Sequence, residues 1–182
     1  RHLTLSRIGK ANRKMWEQVH PILVARDFDK AREITAGDKS TISELLNLGL
    51  ARQGAVRRRD DIEIAMEEGM MEITPQLEKR TQAIALLANI ATLLGLLGTI
   101  VGLIQAFNAV ANANPAEKAD LLSASISVAM NTTAFGLIVA VPLLLAHAYL
   151  NSKTGEIIDS LEMASVKTLN IIVSATHPRQ NA

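Results

Sequence analysis

The segment "NIATLLGLLGTIVGLIQAF" (Asn89–Phe107) carries no charge, three glycines and two threonines. A core helix of a soluble protein is usually poorer in glycine, which weakens a helix by about 1 kcal/mol relative to alanine. A plain lipid anchor has no use for two hydroxyls and an amide. The segment therefore reads as a membrane-crossing helix with a seam of small and polar residues.

Working outward, no Asp, Glu, Lys or Arg occurs from Thr81 to Ala116, nor again from Leu121 to Ser152. Each run exceeds the roughly 20 apolar residues that cross a bilayer. A pair of buried helices in a soluble bundle is the competing interpretation, but soluble helices seldom run so far without charge. Between the runs, "ANANPAEKAD" (111–120) is a short polar loop. Most of the charge lies in residues 1–80. Arg57, Arg58, Arg59, Lys79 and Arg80 precede the first span, Lys153 and Lys167 follow the second, and the loop holds only Lys118. The positive-inside rule places the N-terminal region and the C-terminal tail in the cytoplasm. The opening residues "RHLTLSRIGKANRK" are basic and lack an apolar core, so they show no signal peptide.

Composition excludes several classes. A net charge of +1 and 3% aromatic residues give no footing for nucleic acid. The absence of cysteine removes disulfides, thiolate metal sites and cysteine nucleophiles. His2, His20, His147 and His177 are scattered without metal-ligand spacing, and no glycine-rich phosphate loop follows a strand. No catalytic residue, metal or cofactor is expected.

The flanking regions read as helices. Pro21 marks a helix start or kink in 15–34. Ser40 and Thr41 are N-cap candidates, with Glu44 completing a capping box from Thr41. Ile62, Met66, Met70, Ile73, Leu77 and Ile84 recur at helical spacing, with Pro75 expected to bend or interrupt a helix running on into the membrane. Ile157, Leu161, Ala164, Val166, Leu169 and Val173 give a tail helix whose apolar face needs a partner. No strand alternation is visible. The fold class is all-α: a membrane helical bundle whose long transmembrane helices extend into a cytoplasmic helical domain.

At helical spacing the first span places Asn89, Thr92, Gly95, Thr99, Gly102 and Ala106 along one face. The second places Ser125, Ala129, Thr132, Gly136 and Ala140, widened by Ser127, Asn131 and Thr133. Gly98 and Gly102 form a GxxxG pair. Close helix packing, with Gly95, Gly98, Gly102 and Gly136 at the contact, explains such faces by itself. A water-accessible path lined by Thr92, Thr99, Asn131, Thr132 and Thr133 explains them too. Consecutive polar residues at 131–133 favour the path, because they cannot all face one packed neighbour. Pro142 is a candidate kink. His147 is either an ordinary interfacial residue or a proton-access group. Neither span holds a carboxylate, so any proton moved through them needs a titrating acid from another chain.

"LLGLLGTIVGLIQAF" (Leu93–Phe107) and "SISVAMNTTAFGLIVAVPLLLAHAYL" (Ser125–Leu150) resemble the second and third transmembrane helices of the MotA/TolQ/ExbB proton-channel family. The blocks LLGLLGT-x-x-G and T-A-x-G-L-x-x-A-x-P carry the likeness, which is closest to ExbB-type subunits of TonB systems. The resemblance implies a multi-pass inner-membrane stator subunit that uses the proton motive force to energise TonB-dependent outer-membrane transport. It implies a homopentamer around an ExbD/TolR-like partner that supplies a transmembrane Asp, with a TonB-like transducer beyond. Thr99 and Thr133 match the family's pore threonines. The domains expected are a cytoplasmic helical region (1–80), two transmembrane helices (81–110 and 121–150), a periplasmic loop (111–120) and a cytoplasmic helix and tail (151–182).

Two positions depart from the family pattern. Val128 stands where ExbB and TolQ proteins commonly carry Glu, and no segment before Thr81 matches the family's first transmembrane helix. The chain is expected to be part of a longer subunit. A TolQ-like envelope role, a MotA-like flagellar role with Arg57–Arg59 and Asp60–Asp61 as a rotor patch, and a non-conducting scaffold are the alternatives.

Overall fold

The computed structural model describes residues 2–53 and 59–176, and among them the chain is all-α, with no strand. The helices are α1 (His2–Val24), α2 (Phe28–Ala36), α3 (Thr41–Arg52), α4 (Arg59–Glu78), α5 (Thr81–Ala111) and α6 (Lys118–Thr176). They form two compact units. One combines α1–α4 with α6 from Leu150 onward; the other is the α5–α6 hairpin within Arg80–Tyr149.

The first unit has an aliphatic core. α1 contributes Leu5, Val19 and Leu23, α3 contributes Ile42, Leu45, Leu46 and Leu50, and α4 contributes Ile62, Met66, Ile73 and Leu77. α6 closes it with Ile157, Leu161, Ala164, Leu169 and Ile172, so the tail's apolar face finds its partner within this chain. Ile157 lies 3.6 Å from where a Cβ on Gly9 of α1 would stand. Each fully buried aliphatic side chain contributes about 1.5–3 kcal/mol. Val166, expected on the buried face, is 56% exposed, while Thr168 at 0% faces inward.

One polar joint ties α1 to α3. Asn12 is only 2% exposed, and its Oδ1 accepts from Thr41 Oγ1 at 3.1 Å and from the Ile42 amide at 3.2 Å. The second bond satisfies a backbone donor at the start of α3, where no intrahelical acceptor exists. Asn12→Ala is expected to strand these buried donors and destabilise this unit by about 1–3 kcal/mol. Thermal denaturation followed by circular dichroism checks it.

Pro21 starts no helix but lies inside α1, near its end, and helix ends differ in two further places from the sequence expectation. Ser40, not Thr41, caps α3: its Oγ accepts from the Ser43 amide at 3.3 Å. Asp38 Oδ2 takes the part that Glu44 would have played, accepting from the Ser40 amide and from Ser43 Oγ, each at 2.9 Å. Hydrogen bonding from Ser40, with Ser43 adding to it, outweighs slight burial and holds the Asp38 carboxyl below its ordinary pKa. α4 passes through Pro75 and ends at Glu78, and α5 restarts at Thr81 after Arg80, whose φ of 72° is left-handed. The break thus falls five residues beyond the proline. Arg57 and Arg58 lie outside the described residues; Arg59 opens α4 and pairs with Glu63 at 3.5 Å.

The second expected span and the tail helix are a single element. α6 is 59 residues long and continues through Pro142 as helix.

Candidate functional site: the α5–α6 hairpin

The short connection between α5 and α6 is closed by local turns. The Glu117 amide donates to Asn114 O at 3.0 Å, and the Leu121 amide to Glu117 O at 3.1 Å. Such a loop folds the helices antiparallel, and the contacts bear this out. Ala91 and Gly95 meet Gly136, Gly98 meets Thr132, and Gly102 meets Ala129, with α6 numbers falling as α5 numbers rise.

Buried positions on α5 are Thr81, Ala88, Gly95 and Gly102, seven residues apart, with Ala106 beyond. Ala129, Gly136 and Ala140 answer them on α6. A seven-residue repeat keeps one stripe against a partner helix, and small residues in that stripe let backbones touch. At Gly95 and Gly136 backbone meets backbone. A Cβ on Gly136 would stand 2.8 Å from the Ala91 carbonyl oxygen and 2.9 Å from Gly95 Cα.

The hydroxyls divide around this stripe. Thr133 Oγ1 donates across the interface to the Gly95 carbonyl at 3.1 Å. Thr99 Oγ1 donates to Leu96 O in its own turn at 2.6 Å, Thr92 to Ala88 O at 3.1 Å, and Thr132 to Ala129 O at 2.7 Å. Successive helical residues are about 100° apart. Thr132 and Thr133 therefore straddle the Gly136 line: Thr132 packs on Gly98, and Thr133 bonds Gly95 from the other flank. Thr92 and Thr99 share the flank of Thr133. Asn131 is exposed and lies on the flank of Thr132. Asn89, expected on the face of Gly95, is exposed. Toward the other end of the hairpin, His147 Nδ1 lies 3.0 Å from the Thr81 carbonyl oxygen.

Away from the stripe, both helices turn large apolar side chains outward, including Leu93, Leu97, Phe107, Phe135, Ile138 and Leu145. Helices with satisfied backbones and apolar surroundings suit a bilayer. Both spans are long and apolar enough to cross a membrane, and little of the most apolar stretch of either is buried within the chain. These features define a helical-hairpin membrane protein with a small-residue seam.

The chain belongs to the MotA/TolQ/ExbB proton channel family, whose model matches residues 38–163. It is 31% identical over 128 residues to a putative biopolymer transport protein ExbB homolog of Methanothermobacter thermautotrophicus, covering 70% of this chain and 42% of that protein. It is 40% identical over 73 residues to the biopolymer transport protein exbB1 of Vibrio cholerae, covering 40% of this chain and 32% of that protein. The chain spans less than half the length of the curated relatives it matches.

Proposed function

We propose that this chain is the channel-forming part of a bacterial inner-membrane subunit that conducts protons and energises TonB-type outer-membrane transport. The N-terminal helices and the α6 tail lie in the cytoplasm and the 111–120 loop in the periplasm. Copies assemble as a homopentamer in the lipid, around a transmembrane helix of an ExbD/TolR-like partner. That partner brings the Asp, and a TonB-like transducer carries the work outward. The relatives' names, which specify biopolymer transport, support this output.

The observation that carries the proposal is the Thr133–Gly95 bond with Thr92 and Thr99 on the same flank, in spans free of Asp, Glu, Lys and Arg. Hydroxyls pass a proton along but do not store one near neutral pH. The chain thus supplies a relay, and an acidic partner supplies the storage site. Asn131 and Thr132 form the polar surface of the opposite flank.

A specific observation also favours a non-conducting scaffold. Thr92, Thr99 and Thr132 each return their proton to a carbonyl one turn back, which lets a hydroxyl sit in lipid without a water path. Reconstitution separates the two. Liposomes holding the full-length subunit with its acidic partner are expected to take up protons under an imposed potential, and liposomes holding either protein alone are not. An impermeable complex would leave only the scaffold.

A further inference from the structure

The two uncharged runs hold one imidazole, His147, which the relay described above does not use. Its Nδ1 faces the Thr81 carbonyl oxygen at 3.0 Å. A carbonyl only accepts, so Nδ1 carries the hydrogen and the lone pair of the neutral ring is on Nε2. Taking up a proton at Nε2 leaves the Nδ1–H donor untouched. The ring is thus held in one orientation through both charge states. A switch would release its partner on changing charge; a proton exchanger needs a fixed ring and a free nitrogen.

The surroundings agree. Thr81 is 2% exposed, and its hydroxyl is buried with no hydrogen-bond partner among the described residues. A buried hydroxyl left unpaired is unfavourable, so this end of the seam has polar capacity that Ala88, Gly95 and Gly102 farther along lack. His147 itself is half-buried, so the ring is not sealed inside the hairpin. The element packed against it is α5, whose nearest charged group is Arg80, directly before Thr81; on α6 the neighbouring titratable groups are Tyr149 and Lys153. No carboxylate lies on either helix between Thr81 and Ser152 outside the loop end, where Glu117 and Asp120 stand.

We propose that His147 is the proton acceptor at this end of the hairpin. The O–H bond of an arriving hydronium breaks as Nε2–H forms, giving imidazolium; the same Nε2–H then breaks to protonate bulk water. The Nδ1 hydrogen stays on the ring throughout, donated to the Thr81 carbonyl oxygen. The inference rests on the proton-channel reading and adds an exit group to it.

The test uses the full-length subunit with its acidic partner in liposomes. In His147→Asn the amide nitrogen takes the approximate place of Nδ1 and keeps a donor for Thr81, but nothing accepts a proton. His147→Ala removes both functions and leaves room for free imidazole. The Asn variant is expected to assemble normally and to conduct roughly tenfold or more slowly than wild type. The Ala variant should be slow and regain flux when imidazole is added to the buffer. An Asn variant conducting at the wild-type rate, or an Ala variant that imidazole does not restore, overturns the proposal and leaves His147 as a latch. A wild-type complex that does not conduct overturns the channel reading as well, so the two failures are distinguishable.

Discussion

Gly136→Ala is expected to force α5 and α6 apart. The added methyl would stand 2.8 Å from the Ala91 carbonyl oxygen and 2.9 Å from Gly95 Cα. Both are backbone atoms, so no side-chain rotation relieves the clash and the helices themselves must separate. That separation draws the Gly95 carbonyl away from Thr133, whose hydroxyl reaches it at 3.1 Å. Overpacking of this kind costs about 1–3 kcal/mol. The same replacement at Gly155, on the same helix, meets nothing within 4 Å. There the gain in helix propensity, about 1 kcal/mol, is free to act. Opposite shifts in melting temperature for the two glycine-to-alanine variants in detergent check the assignment. A stable Gly136→Ala hairpin would mean that the helices do not meet at this point.

Thr99→Val with Thr133→Val is expected to abolish proton uptake and energised transport while assembly survives. Valine is close to isosteric with threonine, so the seam keeps its shape. The stability at risk is small. Interhelical hydrogen bonds within membranes average about 0.6 kcal/mol, and Thr99 bonds only within its own turn. A deep loss of flux with nearly unchanged melting would therefore come from the missing hydroxyls and not from misfolding. Flux at the wild-type level in the double variant would end the relay role. The single Thr133→Val variant should be the slightly less stable of the two singles, because it alone gives up a bond between helices.

What the sequence disclosed depended on how local the signal was. The uncharged runs and the recurrence of small residues are properties of neighbouring positions, and they mark out the two spans and the glycine contacts. Register is not local. Whether Thr133 meets Gly95 or another carbonyl depends on the turn at 112–117 and on which stripe of each helix is buried. A signal was present in the spacing of Thr81, Ala88, Gly95 and Gly102, every seventh residue. Following steps of three and four back to Asn89 instead drifts around the helix, which is why Asn89 is exposed. The junction before α5 was hidden for another reason. Pro75 is the conspicuous helix breaker, yet α4 gives up one backbone donor and continues. Arg80 adopts the left-handed conformation without being glycine or asparagine, the residues that would have announced it. The Thr41–Glu44 box failed because a better acceptor, Asp38, stood just upstream.

The two chain crossings into the hairpin are built differently. At Lys79 and Arg80 two turn residues interrupt the helix between α4 and α5. α6 by contrast stays helical from Lys118 to Thr176 and gives up only the one amide donor that Pro142 lacks.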